Sequence, residues 1–284
     1  MLTQDAIDAV VRRALDEDSP WGDLTSEVMI PAGARATAAL VAREPGVLSG
    51  AVVFASAMRA VDAGTDVTAR LRDGDTFEAG ATIATVEGSA RSVLRAERVA
   101  LNLLQRMSGI ATQTRRYADA VAGTGARVVD TRKTTPGLRA LERYAVRCGG
   151  GSNHRFSLSD AVLAKDNHLA VLTAGGRDLT QALREARARL PHTVHLEVEV
   201  DRIDQIEPVL AAGVDTIMLD NFTLDELREG VRLVAGRALV EASGNVSLDT
   251  IGDIARTGVD VISVGALTHS VRAIDFGLDV EVAA

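Results

Sequence analysis

Residues 216–245 read TIMLDNFTLDELREGVRLVAGRALVEASGN, and the fold follows from this stretch. Thr216–Leu219 is a short apolar run that stops at Asp220-Asn221, and Ala238–Ala242 is another that stops at Ser243-Gly244-Asn245. Runs this short and apolar suit buried strands. Between them Leu224–Val234 has helical texture, with Thr223 placed to cap it ahead of Leu224-Asp225-Glu226. Strand, helix, strand at this spacing predicts a parallel βα unit.

The same rhythm extends outward on both sides. Ala126–Val129 precedes Asp130-Thr131-Arg132-Lys133, and Ala161–Ala164 precedes Lys165-Asp166-Asn167-His168. Val194–Val200 comes next, and Val261–Val264 runs into Gly265-Ala266. Helix-like stretches lie between them at Asp178–Arg189, Ile203–Ala212 and Leu248–Thr257, the last capped by Ser247. Six such strands, each ending in polar residues, predict a barrel or near-barrel over residues 125–270. A barrel gathers every strand end around one mouth, whereas a doubly wound sheet uses mainly its switch point. There is no Gly-x-Gly-x-x-Gly or Walker A pattern, which removes the common nucleotide loops.

The first third of the chain differs. Ala6, Ile7, Val10, Val11 and Leu15 predict a surface helix. Residues 20–90 read as β-rich, with strands at Arg35–Arg43, Ala51–Phe54 and Ala81–Glu87 and turns at Pro45-Gly46 and Asp73-Gly74-Asp75. Two helices are predicted after them, Ser92–Gln105 and Ala111–Ala122.

Composition excludes several classes. With 31 Lys and Arg against 39 Asp and Glu the net charge is −8, the wrong sign for generic nucleic-acid binding. The longest uncharged stretch, Pro45–Met58, falls short of the about 20 apolar residues a membrane span needs. The N-terminus lacks a basic region leading into an apolar one, and Cys148 is the only cysteine, so a reducing, cytoplasmic setting is expected.

Chemistry concentrates at the strand ends. In Leu196-Glu197-Val198-Glu199-Val200 a period of two puts both glutamates on one face. They point into the barrel if the apolar face packs under helices, or into solvent if this is an edge strand. Asp220 and Glu241 lie on neighbouring strands, and Arg132, Lys133, Arg155 and Lys165 lie at strand ends too. A mouth ringed by cations and acids suits an anionic, metal-bound ligand. Ser243-Gly244-Asn245 and Gly265-Ala266 follow the last two strands, where barrels often hold phosphate. Gly149-Gly150-Gly151 reads as a mobile loop or a flexible connector. His154 beside Arg155 is a plausible ligand-binding pair, and His168 and His269 could serve near the mouth or satisfy backbone groups. No His/Cys cluster has zinc spacing, so a hard, oxygen-held ion such as Mg2+ is the expected metal.

These motifs resemble the quinolinate phosphoribosyltransferase family. The resemblance is carried by Asp130–Arg139 (DTRKTTPGLR), Gly150–Arg155 (GGSNHR), Lys165–His168 (KDNH), Glu197–Val200 (EVEV), Leu219–Phe222 (LDNF), Glu241–Asn245 (EASGN) and Ser263–Ser270 (SVGALTHS). It implies an α/β fold in which an incomplete parallel α/β barrel is preceded by an α/β sandwich domain. The sandwich would occupy residues 1–108, rejoined by residues 271–284, and the barrel residues 109–270. It implies condensation of quinolinate with phosphoribosyl pyrophosphate, releasing pyrophosphate and carbon dioxide and giving nicotinate mononucleotide for NAD synthesis, with Mg2+ and no organic cofactor. It also implies a homodimer or hexamer with shared sites.

Residue by residue, the resemblance assigns quinolinate to Arg132, His154, Arg155 and Lys165, with Arg98 supplied by a partner subunit. Lys133, Lys165, Glu197 and Asp220 would carry the reaction, with Glu197 and Asp220 also holding ribose and Mg2+. Ser243, Gly244, Asn245, Gly265, Ala266 and His269 would hold phosphate; Asn245 stands where relatives often carry Gly. Arg suits a dicarboxylate because it pairs with carboxylate bidentately. The rival readings are a nicotinate-type phosphoribosyltransferase of the same architecture, a barrel aldolase forming a Schiff base on Lys165, and a noncatalytic scaffold.

Overall fold

The computed structural model describes residues 2–282, so residues 1, 283 and 284, the outermost positions of the expected sandwich domain, lie outside the described residues. The chain forms two compact units. The first runs from the N-terminus to Arg115 and includes Thr134–Gly150 and the segment from Leu267 onward; the second comprises Arg116–Lys133 and Gly151–Ala266.

Unit 1 opens with α1 (Gln4–Asp18), where Ile7, Val11 and Leu15 are buried, and α2 (Leu24–Met29). Then come β1 (Arg35–Ala42), β2 (Gly46–Val47), α3 (Ala51–Val61), β3 (Asp66–Ala69), β4 (Thr76–Phe77) and β5 (Thr82–Ser89). One four-stranded sheet has the order β12-β1-β5-β3, its first member being the C-terminal strand β12 (Phe276–Val282); β2 and β4 form a separate pair. Thus the last strand pairs with the first.

Two expectations for this region are corrected. Ala51–Phe54 is the start of α3, not a strand. Gly50, at φ 101°, turns the chain, the Ala51 N–H donates to Asp73 Oδ1 at 2.9 Å, and Val53, Phe54, Ala57 and Met58 bury one helical face. The two expected helices are one, α4 (Ala90–Ala120). Ser108-Gly109 does not break it. Ser108 Oγ bonds both the N–H and the C=O of Ser49, and a Cβ at Gly109 would sit 2.3 Å from the Arg272 carbonyl. That glycine admits a neighbouring segment.

The two compact units change over inside α4, and residues 134–150 pack in unit 1. These residues include α5 (Arg139–Cys148). Its Glu142 is 1% exposed and takes a hydrogen bond from Arg106 Nε at 2.8 Å, while Tyr144 donates to Asp73 at 2.9 Å. Gly149 caps α5 in close contact with α4, since a Cβ there would meet the Ala111 carbonyl at 2.4 Å.

Unit 2 follows the predicted rhythm. Its strands are β6 (Arg127–Val129), β7 (Val162–Ala164), β8 (Leu196–Val200), β9 (Thr216–Asp220), β10 (Leu239–Ser243) and β11 (Val261–Ser263). Helices α6 (Asp166–Leu172), α7 (Leu179–Ala188), α8 (Ile206–Leu210), α9 (Leu224–Val234) and α10 (Ile251–Ala255) are interleaved with them, and α11 (Ala266–His269) begins at its end. The strands are parallel, in the order β6-β11-β10-β9-β8-β7, with β6 and β7 at the edges and β6 carrying only an isolated parallel bridge to Ser152, so the α/β barrel is incomplete. Val198, Ile217, Leu219, Ala242 and Ile262 are buried on one face, as are Leu183, Ile206, Leu227 and Ile254 on the helices. β8 is an interior strand, which decides the direction of its glutamates. They point inward.

Candidate active site

Parallel strands deliver their C-terminal residues to one end of unit 2. Asp130, fully buried just beyond β6, organises the loop that follows. Its Oδ2 accepts from Asn153 Nδ2 at 2.6 Å and its Oδ1 from the backbone N–H of His154 at 2.8 Å. Arg132 and Lys133, two and three residues on, are exposed. Burial and the neighbouring Arg132 cation push the Arg155 guanidinium below its ordinary range, while Glu197 and Asp160 pull it back. Arg155 Nη1 donates to the Ala161 carbonyl at 2.8 Å, which anchors its guanidinium.

The two glutamates of β8 divide by depth. Glu199, nearer the strand end, is half-buried and pairs with Lys165 Nζ at 2.7 Å. Glu197, one pleat deeper, is buried, and its Oε2 lies 3.1 Å from His154 Nε2. Asp220 ends β9, and its Oδ2 accepts from Asn221 Nδ2 at 2.7 Å.

The loops after β9 and β10 interlock. The Asn221 N–H donates to the Ser243 carbonyl at 2.9 Å, and Asn245 Nδ2 donates to Asn221 Oδ1 at 3.2 Å. Gly244 has φ 98°, and a Cβ there would come within 2.2 Å of Asn221 Oδ1, so only glycine fits. Asn245 has φ 50°, the left-handed conformation that Gly adopts freely and Asn tolerates better than most residues. Gly265 and Ala266 follow β11 and are half-buried.

Unit 2 therefore brings together Arg132, His154, Arg155, Lys165, Glu197, Asp220 and the two glycine loops. Arg98 and His269 belong to unit 1, both exposed, and His269 Nδ1 lies 2.6 Å from Ser270 Oγ. His168 caps α6, its Nδ1 accepting the Lys165 N–H at 3.1 Å. Three contributors received no individual role from the sequence: Asp130, Glu199 and Glu241. The glutamates lay in the right pattern, but depth along a strand is set by where the sheet ends. Asp130's role needs the return of residues 152–154, a tertiary event.

An open α/β barrel with arginines, a lysine and acids at its strand ends, beside glycine loops, defines a class: barrel proteins that hold a polyanionic ligand at the mouth. Within that class the chain belongs to the quinolinate phosphoribosyltransferase family. Residues 23–108 match the family's N-terminal domain and residues 110–279 its C-terminal domain. The chain is 46% identical over 282 residues to the nicotinate-nucleotide pyrophosphorylase [carboxylating] of Mycobacterium leprae, covering 97% of each. It is similar in structure to NadC from Streptococcus pyogenes (TM-score 0.94, 40% identity, 100% and 99% of the two chains). The nicotinate-nucleotide pyrophosphorylase from Francisella tularensis is another match (TM-score 0.91, 36% identity, 99% and 98%).

Proposed function

We propose that this chain transfers the phosphoribosyl group of phosphoribosyl pyrophosphate to quinolinate with loss of carbon dioxide, giving nicotinate mononucleotide for NAD synthesis. The observation that carries the reading is the convergence, on the strand ends of one family-matched unit, of cations for a dicarboxylate and acids for a sugar. Arg132 and Arg155 grip the two carboxylates, each Arg offering a planar fork. Lys165 adds charge beside Glu199. Its Nζ is engaged with Glu199 at 2.7 Å instead of free to attack a carbonyl carbon, which speaks against the Schiff-base aldolase.

Displacement of pyrophosphate gives the anomeric carbon oxocarbenium character, and the inward acids stabilise it. Asp220 orients the ribose, and the loops at Ser243-Gly244-Asn245 and Gly265-Ala266 hold the phosphate. Lys133 serves the leaving group. Once the ring nitrogen is alkylated its positive charge stabilises the carbanion left at C2 as carbon dioxide departs. The side chains bind, orient and exclude water; no covalent nucleophile is required.

Mg2+ suits this donor set because Asp220 offers hard carboxylate oxygen at the rim. Asp220 would hold the ion together with the ligand's own oxygens. When bound, Mg2+ neutralises charge on the departing pyrophosphate. Glu197, whose Oε1 is buried and accepts no hydrogen bond, would hold the ion and the ribose with Asp220.

The working form is a homodimer or hexamer in which Arg98 reaches a partner's site. Support comes from Arg98 being exposed on α4, and from Trp21, Leu24, Val28 and Met29, which expose 94%, 75%, 76% and 73% of their surfaces. No helix among the described residues is long and apolar enough to cross a membrane, and the lone cysteine fits the cytoplasm. The decisive assay is carbon dioxide release from quinolinate, expected only with both phosphoribosyl pyrophosphate and Mg2+. Release of pyrophosphate with nicotinate in place of quinolinate would overturn the reading in favour of a nicotinate-type enzyme.

A further inference from the structure

Unit 1 holds an ion pair at the two places where the chain returns to it. The chain passes from unit 2 into unit 1 at Thr134 and again at Leu267. Each return comes directly after residues assigned to phosphoribosyl pyrophosphate, Lys133 before the first and Gly265-Ala266 before the second. Arg106, on α4, reaches the second residue of both. Its Nη2 donates to Thr135 Oγ1 at 2.7 Å and to the Thr268 carbonyl at 3.2 Å.

Glu142 fixes that guanidinium. It stands on α5, almost fully buried, and its Oε1 accepts from Arg106 Nε at 2.8 Å and from Nη2 at 2.5 Å. Its Oε2 accepts the Thr135 N–H at 3.1 Å. Thr135 is therefore held twice, through its hydroxyl by Arg106 and through its backbone by Glu142. Arg139 Nε donates to Thr134 Oγ1 at 3.0 Å and tightens the same turn. On the other return, Leu267 and Thr268 are fully buried.

Stability alone is a poor account of this arrangement. Burying Glu142 costs its hydration, and well-packed apolar residues of similar volume commonly serve a fold as well as a buried ion pair does. What apolar side chains cannot supply is direction, a planar guanidinium bonded along set lines to two separate segments. The residues it holds lie two positions beyond Lys133 and two beyond Ala266. Phosphoribosyl pyrophosphate carries its pyrophosphate at one end of the ribose and its 5′-phosphate at the other. Loops that bind opposite ends of one ligand must keep a set separation. An anchor common to both keeps it before the ligand arrives, and such preorganisation lowers the ordering cost of binding.

We propose that Arg106 and Glu142 are positioning residues for phosphoribosyl pyrophosphate, a tie that holds the segment after Lys133 and the segment after Gly265-Ala266 to one anchor. They act through those residues and not by touching the ligand. This deepens the proposed reaction and rests on it for the ligand.

The test is Arg106→Met/Glu142→Leu, an apolar pair that leaves no buried charge without its partner. Its thermal midpoint should stay near that of wild type, while KM for phosphoribosyl pyrophosphate rises about tenfold with smaller changes in kcat and in KM for quinolinate. Thr135→Val keeps the volume and the Glu142 bond and removes only the hydroxyl. It should raise the same KM about threefold, and it decides the matter if the double variant does not fold. A folded variant with that KM unchanged, or with both KM values raised alike, would overturn the proposal. Without any ligand, amide hydrogen exchange around Thr135 and Thr268 should quicken in the double variant, and unchanged protection there would overturn the tie. A wild-type chain that releases no carbon dioxide would instead refute the reaction, and hydrogen exchange would still report on the tie.

Discussion

At the mouth, single residues are fixed by backbone conformation as much as by side-chain chemistry. Gly244 sits at φ 98° with Asn221 Oδ1 where a Cβ would go. Gly244→Ala is therefore expected to displace the Asn221 side chain and raise KM for phosphoribosyl pyrophosphate by about tenfold or more, with the thermal midpoint changed much less. Steady-state kinetics at saturating quinolinate would show it, and an unchanged KM would remove the phosphate role of this loop. Asn245 makes the complementary case. At φ 50° it adopts the left-handed conformation that glycine takes freely, so Asn245→Gly should keep kcat/KM within about threefold while Asn245→Val, β-branched and strained there, loses far more. The glycine loops were legible in sequence because glycine after a strand is a local signal. The part of Asp130 was not, since it acts through partners more than twenty residues away, Asn153 and His154.

The helices and strands of unit 2 were readable for a related reason. Each βα unit writes its own period, so β9, α9 and β10 fall where the apolar spacing puts them. Unit 1 was harder. Val52-Val53-Phe54 fits a strand as well as a helix until Gly50 and Asp73 set the direction of α3, and Gly109 looks like a stop until Arg272 packs against it. Gly149 belongs with these tertiary glycines. Its φ of −76° suits any residue, yet the Ala111 carbonyl and Thr114 Cβ leave no space for a methyl group. Gly149→Ala should cost about 1–3 kcal/mol by overpacking, seen as a lower denaturant midpoint with unchanged slope. In unit 2 the tie between α7 and the sheet is ionic. Arg187 forks onto Asp215, whose Oδ2 also accepts the Leu196 N–H at 2.7 Å. Burial raises the Asp215 carboxyl, but these bonds outweigh it and hold it below the usual range. A depressed acid stabilises the fold above its unfolded value and loses that contribution as pH falls through its folded value. The pair is one-third exposed, so Asp215→Asn should cost only about 1 kcal/mol at pH 7. The difference from wild type should close below about pH 4, and a gap that persisted at pH 2 would assign the effect to shape instead of charge.

For the whole molecule, the decisive matter is whether one chain makes a complete site. A chain of net charge −8 must attract a dianion through a local cluster of cations, because its overall field repels one. In the proposed reaction Arg132 and Arg155 with Lys165 are that cluster within unit 2, and the proposed shared site would add Arg98 from another subunit. Arg98 stands on α4 with its side chain exposed, and unit 1 also exposes Trp21, Leu24, Val28 and Met29, an apolar surface of the kind that subunits cover. Sharing across a two-fold interface has a consequence that sharing within a chain lacks. Arg98→Ala and Arg155→Ala chains should each be inactive alone. Unfolded, mixed in equal amounts and reassembled, they form heterodimers in which one site keeps its own Arg155 and receives an intact Arg98, while the other site lacks both. Random pairing then restores about a quarter of wild-type carbon dioxide release. If Arg98 serves its own chain, no pairing rebuilds a site and the mixture stays silent. Labelled subunits that exchange without any return of activity would therefore place Arg98 within its own chain or outside the reaction, and separate the dimer from its chemistry.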